Sequence, residues 1–296
     1  MVNETFDYVQ YLDVKKGIDD SSLNKNVWAL FSTWLRAESE QDAILKVLEI
    51  GAGIGTMIER LLDASLLHKC HYMALEPDPS FKTAALDRLQ LWASNNNCGF
   101  KISSAGLWLI SNKELDSKLD LRVEWIESDA DSIDQLFDKE SFDLLLSHAV
   151  IDLLPVPEIM PVILEKLRDQ GGYYFSLNFS GETEFYPSME DDIEIAEQYH
   201  ADMDSRFPKL DWRPSMTGST LPKWLESYGC EQVVDGESNW SLGKSDQLFI
   251  RNILDTIKKA LYGFPKLDNW LAKRYKELEQ GDLKMKISNR DCFGLK

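Results

Sequence analysis

The residues able to do chemistry in this 296-residue chain fall in a few short stretches. From Val47 to Thr56 the sequence reads Val-Leu-Glu-Ile-Gly-Ala-Gly-Ile-Gly-Thr, an apolar run carrying Glu49 and then glycines at 51, 53 and 55. Glycines accept positive φ and let a ligand approach without a Cβ in the way, and a helix after them offers free N–H groups at its start. This is the pattern of a strand ending in a turn that cradles a ligand with a polar tail. The spacing is G-x-G-x-G; the dinucleotide fingerprint G-x-G-x-x-G would put its third glycine on Thr56. Acids recur at Glu76, which closes the run His71–Glu76, and at Asp129 in Ser128-Asp129-Ala130. His148 follows Phe-Asp-Leu-Leu-Leu-Ser147, and an imidazole titrates in the range useful for moving a proton. Asp152, four residues on, can orient it if a helical turn starts there, and Asn178 is a polar residue ending another apolar run.

Strands and helices must alternate to place these residues. Apolar runs predict strands at Val47–Ile50, His71–Glu76, Leu121–Ile126, Phe142–Ser147 and, behind Gly171-Gly172, Tyr173–Phe179. Between the first three the spacing predicts helices over Thr56–Leu67 and Ser80–Ser94, and strands alternating with helices mean a doubly wound, mostly parallel α/β sheet. Val27, Leu30, Phe31, Trp34 and Leu35 stand at helical spacing in Leu23–Ser39, a helix expected to cap the mouth of the sheet. Residues 1–45 are read as this N-terminal helical cap and 46–296 as the domain that carries the motifs. Later elements are a helix at Leu221–Tyr228, a sixth strand at Glu231–Asp235, helices at Asp246–Leu261 and Leu267–Gln280, and an antiparallel seventh strand at Leu283–Ser288. Three segments exceed a minimal core, at about 95–120, 180–222 and 246–280. Long segments at strand ends usually shape a substrate pocket or act as lids. Tyr186, Tyr199, His200 and Arg213 in the second, with Tyr8 and Tyr11 near the start, are weaker candidates for substrate contact.

Taken in order, Glu49 with the Gly51/Gly53/Gly55 turn, Glu76, Ser128-Asp129-Ala130 and Phe-Asp-Leu-Leu-Leu-Ser-His resemble the motifs of class I S-adenosylmethionine-dependent methyltransferases, over about Lys46 to Ser180. The resemblance implies a seven-stranded Rossmann-like sheet and S-adenosylmethionine as cofactor. Glu76 would then accept both ribose hydroxyls, which a carboxylate does better than a neutral side chain. Asp129 would accept from the adenine amino group, the Ala130 N–H would face the ring, and Gly51, Gly53 and Gly55 would clear space for the methionine tail. Glu49 and the backbone at Ser147 would order the amino end. Methyl transfer is an in-line displacement that mainly requires positioning, with a base needed only when the acceptor must lose a proton. His148 is the first candidate for that base or for orienting the acceptor, with Asp152 and Asn178 beside it; each can equally satisfy neighbouring loops.

Composition narrows the partners. With 32 basic against 50 acidic residues the formal charge is −18, which repels phosphate backbones and anionic membranes, so a small-molecule acceptor is expected and neither nucleic acid nor a membrane. The beginning of the chain lacks the basic, apolar pattern of a targeting peptide and no run is long enough to span a bilayer, which predicts a cytoplasmic location. Cys70, Cys98, Cys230 and Cys292 lack metal-ligand spacing, so reduced thiols and no metal are expected. Three rivals remain. A nicotinamide-dependent oxidoreductase would also use Glu76, but not the glycine spacing or Asp129. An aminopropyl transferase would draw on acids such as those from Glu190 to Glu197. The third is a non-catalytic S-adenosylmethionine-binding protein.

Overall fold

The computed structural model describes residues 8–40, 43–112 and 119–296. Residues 1–7 and 41–42 of the expected cap and 113–118 of the 95–120 segment lie outside them.

Along the chain, helices α1 (Tyr8–Ser22) and α2 (Lys25–Ser39) precede β1 (Leu45–Ile50), α3 (Thr56–Asp63), β2 (Lys69–Leu75) and α4 (Pro79–Asn95). A hairpin of β3 (Cys98–Ile102) and β4 (Trp108–Asn112) leads to β5 (Asp120–Ile126), the short α5 (Ile133–Leu136), β6 (Phe142–His148), α6 (Val156–Lys166) and the long β7 (Leu167–Tyr186). Then come α7 (Asp192–Asp204), α8 (Thr217–Ser227), β8 (Glu231–Glu237), β9 (Trp240–Leu242), α9 (Gln247–Ala260), α10 (Leu267–Gln280) and β10 (Lys284–Leu295). Short polar caps set several starts. Asn24 accepts from the Asn26 and Val27 N–H groups at α2, and Asp78 accepts from Ser80 N–H beside Pro79 at α4.

The sheet order is β3-β4-β5-β2-β1-β6-β7-β10-β8, with β9 paired to β10. Strands β5, β2, β1, β6 and β7 run parallel, and β10 is antiparallel to both β7 and β8. The doubly wound sheet with a late antiparallel strand is the expected one, but it has ten strands rather than seven. The 95–120 segment supplies two of the extra strands, since β4 pairs antiparallel along β5 and carries β3 outside it. The third is β9.

Two buried layers cover the faces. On one, α2, α3 and α4 bury Phe31, Leu35, Met57, Leu61 and Leu89 against Val47, Tyr72 and Leu144. On the other, α5, α6 and α8 bury Ile133, Ile163 and Leu221 against Leu48, Leu145 and Phe175. The helix read as a cap beside the mouth, α2, therefore belongs to the sheet: Phe31 stacks on Tyr174 at 4.5 Å. The element at the mouth is α1, whose polar pattern did not announce it.

The 180–222 segment also differs from a plain lid. Strand β7 continues past the end of β6 and pairs with β10 as far as Tyr186↔Lys284. This ribbon builds a third core with α7, α9 and α10, in which Phe179, Phe185, Phe249 and Trp270 are buried and Tyr11, Val14 and Ile18 of α1 pack against them. No helix among the described residues is long and apolar enough to cross a membrane.

Candidate active site

The parallel register lines up the carboxyl ends of the strands: Ile50 pairs with Leu75 and Ser147, and Leu75 with Ile126. The loops after them therefore share one edge, where doubly wound sheets bind ligands. Between β1 and α3, Gly51, Gly53 and Gly55 are all left-handed, with φ of 72°, 54° and 75°. A Cβ in that region costs about 1–2 kcal/mol at each position. Gly51 is constrained twice, because a Cβ there would stand 2.5 Å from Val150 Cγ2. The Gly51 and Ala52 N–H groups donate to Leu75 O at 2.9 and 3.1 Å, which fixes the turn to β2.

Glu76 comes next on β2's exit. Its carboxylate accepts from the Gly53 N–H at 2.8 Å and the Asp78 N–H at 3.0 Å, so the second acidic motif touches the glycine turn directly. Burial raises its pKa while those two N–H groups pull it down. Glu49 is fully buried and accepts from Tyr72 Oη at 2.7 Å. Burial pushes its carboxyl up to about 8, outweighing Tyr72 and Arg60, so it is mostly protonated at neutral pH. Asp129 is exposed at the start of the turn Ala130–Ser132 and accepts from Ser132 Oγ at 3.0 Å, while Ala130 is buried. Ser147 donates to Ile50 O at 3.1 Å and ties β6 to β1.

The second half of the site lies under α1. His148 is buried, with Nε2 3.0 Å from Asp19 Oδ2 and Nδ1 2.7 Å from Ser176 Oγ. Burial and then the charge of Arg60 lower its pKa to about 4, against the pull of Asp19, so the ring is neutral. Burial raises the Asp19 carboxyl, but Lys15 and His148 outweigh it and hold it at about 2. An ionised carboxylate only accepts, so Nε2 carries the His148 proton and Nδ1 accepts from the Ser176 hydroxyl. Asp19 also takes Lys15 Nζ at 2.5 Å and Trp240 Nε1 at 3.0 Å. Lys15 and Asp19 at i,i+4 read in sequence as an ordinary solvated helix pair, which is why neither stood out.

Asp152 does not orient His148, whose two nitrogens are taken by Ser176 and Asp19. Its Oδ1 is buried with no partner among the described residues, and burial raises its carboxyl to about 6 despite its own backbone N–H, Arg206 and Lys15. Tyr11, stacked on Phe249, is pushed up by burial and then by Asp19, and Tyr199 by burial against Arg206, with Asp152 adding to both. Asn178 donates from Nδ2 to Phe175 O at 3.0 Å and Arg290 O at 3.2 Å, holding a bulge in β7. A buried acid unnoticed in sequence, Asp291, completes that bulge by accepting from Leu177 N–H at 2.8 Å. Leu177 and Ala149 are both left-handed non-glycine residues, and such strain concentrates at functional sites.

The weaker candidates lie outside this cluster or serve structure. Arg213 pairs with Asp204 at 2.8 Å on the surface, His200 Nε2 stands 3.1 Å from Thr183 Oγ1, and Tyr186 bonds Glu184. In the acidic run Glu190–Glu197, Asp191 and Glu194 hold Lys266, and Asp192 holds Arg274 and Trp270 Nε1. Those three acids are engaged in structure, which removes support for a polyamine site there.

A family model described as "Putative S-adenosyl-L-methionine-dependent methyltransferase" matches residues 28–265. The chain belongs to this family. It is an S-adenosylmethionine-dependent methyltransferase, and its cofactor is S-adenosylmethionine. No curated protein matches it. Among solved structures it is similar to a protein of Bacillus halodurans C-125 described as a "putative methyltransferase", at 13% identity and a TM-score of 0.48 over 89% of this chain and 97% of that one. It is also similar to YjhP of E. coli, at 14% and 0.45 over 91% and 93%. A third is Haemonchus contortus phosphoethanolamine N-methyltransferase 2, at 14% and 0.46, where the match spans 99% of this chain and 60% of that one.

The residues at the sheet edge fit such a cofactor. The tight turn at the end of β1 needs positive φ at Gly51, Gly53 and Gly55, and Glu76 beside it has carboxylate lone pairs beyond the two used by Gly53 and Asp78. When bound, S-adenosylmethionine supplies an electrophilic methyl group on a sulfonium.

Proposed function

We propose that this methyltransferase modifies a small-molecule acceptor held beneath α1, at the carboxyl ends of β6 and β7. In this reading Glu76 takes the ribose hydroxyls, Asp129 and Ala130 the adenine, Gly51, Gly53 and Gly55 leave room for the methionine tail, and Glu49 and the Ser147 backbone meet its amino end. The observation that carries the reading is the direct bond from Glu76 to the Gly53 N–H, which couples the ribose-type acid to the glycine turn.

The chain's own part in the reaction is to position, exclude water and handle a proton. Tyr11, Val14 and Ile18 press α1 onto the third core, and Asp19 clasps it to His148. Both His148 nitrogens are committed in this arrangement, so His148 positions the roof, and Asn178 positions the β7 bulge beside it. Proton removal from a protic acceptor falls to Asp152, whose Oδ1 is buried without a partner among the described residues near Tyr11 and Tyr199, and whose carboxyl burial raises to about 6. The charge of −18 argues against a nucleic-acid acceptor, and the reaction belongs in the cytoplasm on the same reading.

The test is incubation of the full chain with methyl-labelled S-adenosylmethionine and, separately, the dialysable, protein and RNA fractions of a cell extract. Label is expected in the dialysable fraction, at a rate reduced in Asp152→Asn. Label confined to protein or RNA would overturn the acceptor class. Binding of S-adenosylhomocysteine with no label in any fraction would favour a silent binding protein.

A further inference from the structure

We infer that Arg60 receives the carboxylate of the cofactor's methionine end on its Nη face, and that Asp20 of α1, held on Nε, competes with it for the guanidinium's charge. Arg60 stands in the second turn of α3, shortly after the glycine cradle, and is only 6% exposed. A guanidinium has five N–H donors and buries well only when most are paired. Here Nε donates to Asp20 Oδ1 at 2.6 Å and, among the described residues, Nη1 reaches only the Met57 thioether, at 3.6 Å. Nη2 is buried with no partner among the described residues.

The surroundings point to a ligand rather than to a finished ion pair. The charge of Arg60 is felt by Glu49, which precedes Gly51 by two residues, and by His148 at the end of β6, so it faces the junction of cradle and roof. Glu49 makes no ion pair with it among the described residues and accepts from Tyr72 Oη instead. Among the described residues the one carboxylate in contact is Asp20, whose side chain is 38% exposed and is shared with Lys16 at 2.9 Å. A carboxylate from a bound ligand can take the idle face of the fork, where bidentate geometry adds both energy and direction. This rests on the cofactor lying in the glycine cradle.

The experiment compares two ligands by calorimetry. S-adenosylhomocysteine carries the amino-acid end; 5′-deoxy-5′-methylthioadenosine keeps the adenine, ribose and sulfur without it. Arg60→Met is expected to weaken the first by about ten- to a hundredfold and the second by less than about twofold. Asp20→Asn, at a partly exposed position, is expected to tighten the first by about two- to fivefold and leave the second alone. Equal losses for both ligands in Arg60→Met, or no loss for either, would overturn the assignment. Should Arg60→Met not fold, Arg60→Lys and Asp20→Asn decide it, and an Asp20→Asn that leaves homocysteine-end binding unchanged or weaker counts against it. Failure of the cradle reading looks different: the wild-type chain would bind neither ligand.

Discussion

The glycine cradle and the α1 roof face the same edge of the sheet and are held together by contacts of very different reach. In the cradle, Glu76 bonds residues 23 and 2 positions away, and Glu49 bonds Tyr72 at a separation of 23. In the roof, Asp19 reaches 129 positions to His148 and 221 to Trp240. A local unit forms as soon as its strand and helix form, whereas a clasp between distant segments exists only once the sheet is complete. The cradle should therefore behave as part of the rigid frame and the roof as a separable piece, and the titrating groups differ in sign as well.

Removing the clasp is the largest expected effect. Asp19→Ala leaves Lys15 buried and unpaired, and should cost about 3–5 kcal/mol in urea unfolding. If the roof is separable, hydrogen exchange in α1 accelerates while β1 amides keep their protection; equal loss in both would erase the distinction. In the cradle, Gly51→Ala meets Val150 and a left-handed backbone at once, and should cost about 2–5 kcal/mol in the same assay. The contrast sharpens with the same substitution in the roof. Gly17 lies within α1 with nothing inside 4 Å of an added Cβ, so Gly17→Ala should stabilise by about 0.5–1 kcal/mol.

The pH dependence separates the two regions again. His148 has a pKa of about 4 folded against 6.5 unfolded, so below 6.5 the unfolded chain binds the extra proton and stability falls as pH drops toward 4. Glu49 is the reverse: at about 8 folded against 4.5, the folded chain holds the extra proton and stability falls as pH rises from 4.5 toward 8. Asp152, beneath α1 and raised to about 6, acts in the same sense as Glu49 between 3.8 and 6, so the contrast in sign is that of His148 against Glu49. Denaturation midpoints of Glu49→Gln across pH 4.5–8 should therefore lose part of the alkaline decline seen in the wild type. A variant curve parallel to the wild type would show that Glu49 is not the titrating group.

This difference in reach explains what could be read beforehand. The cradle residues Gly51, Gly53, Gly55 and Glu76 lie within one strand–helix–strand unit, so their spacing alone expresses the geometry, and the order of the parallel strands follows from the same periodicity. His148 is visible in the sequence, but the spacing offers Asp152, four residues away, as its partner, whereas the bond is made by Asp19, 129 positions away. Lys15 and Asp19 look like a surface pair in a helix with a weak apolar stripe, and nothing in their spacing reports that Trp240 and His148 will cover them. Asp291 and the Leu177 bulge escaped for the same reason, because they depend on how β10 pairs with β7 after more than a hundred intervening residues. The extra strands β3 and β4 show in the sequence only as an insertion, since a hairpin's choice of sheet edge is a tertiary matter.

The most direct test of the account is calorimetric titration of the full chain with S-adenosylhomocysteine, beside Glu76→Ala and with NADH as a control ligand. The account predicts saturable binding of S-adenosylhomocysteine alone, weakened by about 1.5–3 kcal/mol in Glu76→Ala while the variant's unfolding midpoint stays near that of the wild type. Binding left unchanged in a folded Glu76→Ala, or binding of NADH instead, would contradict the placement of the cofactor on the glycine cradle.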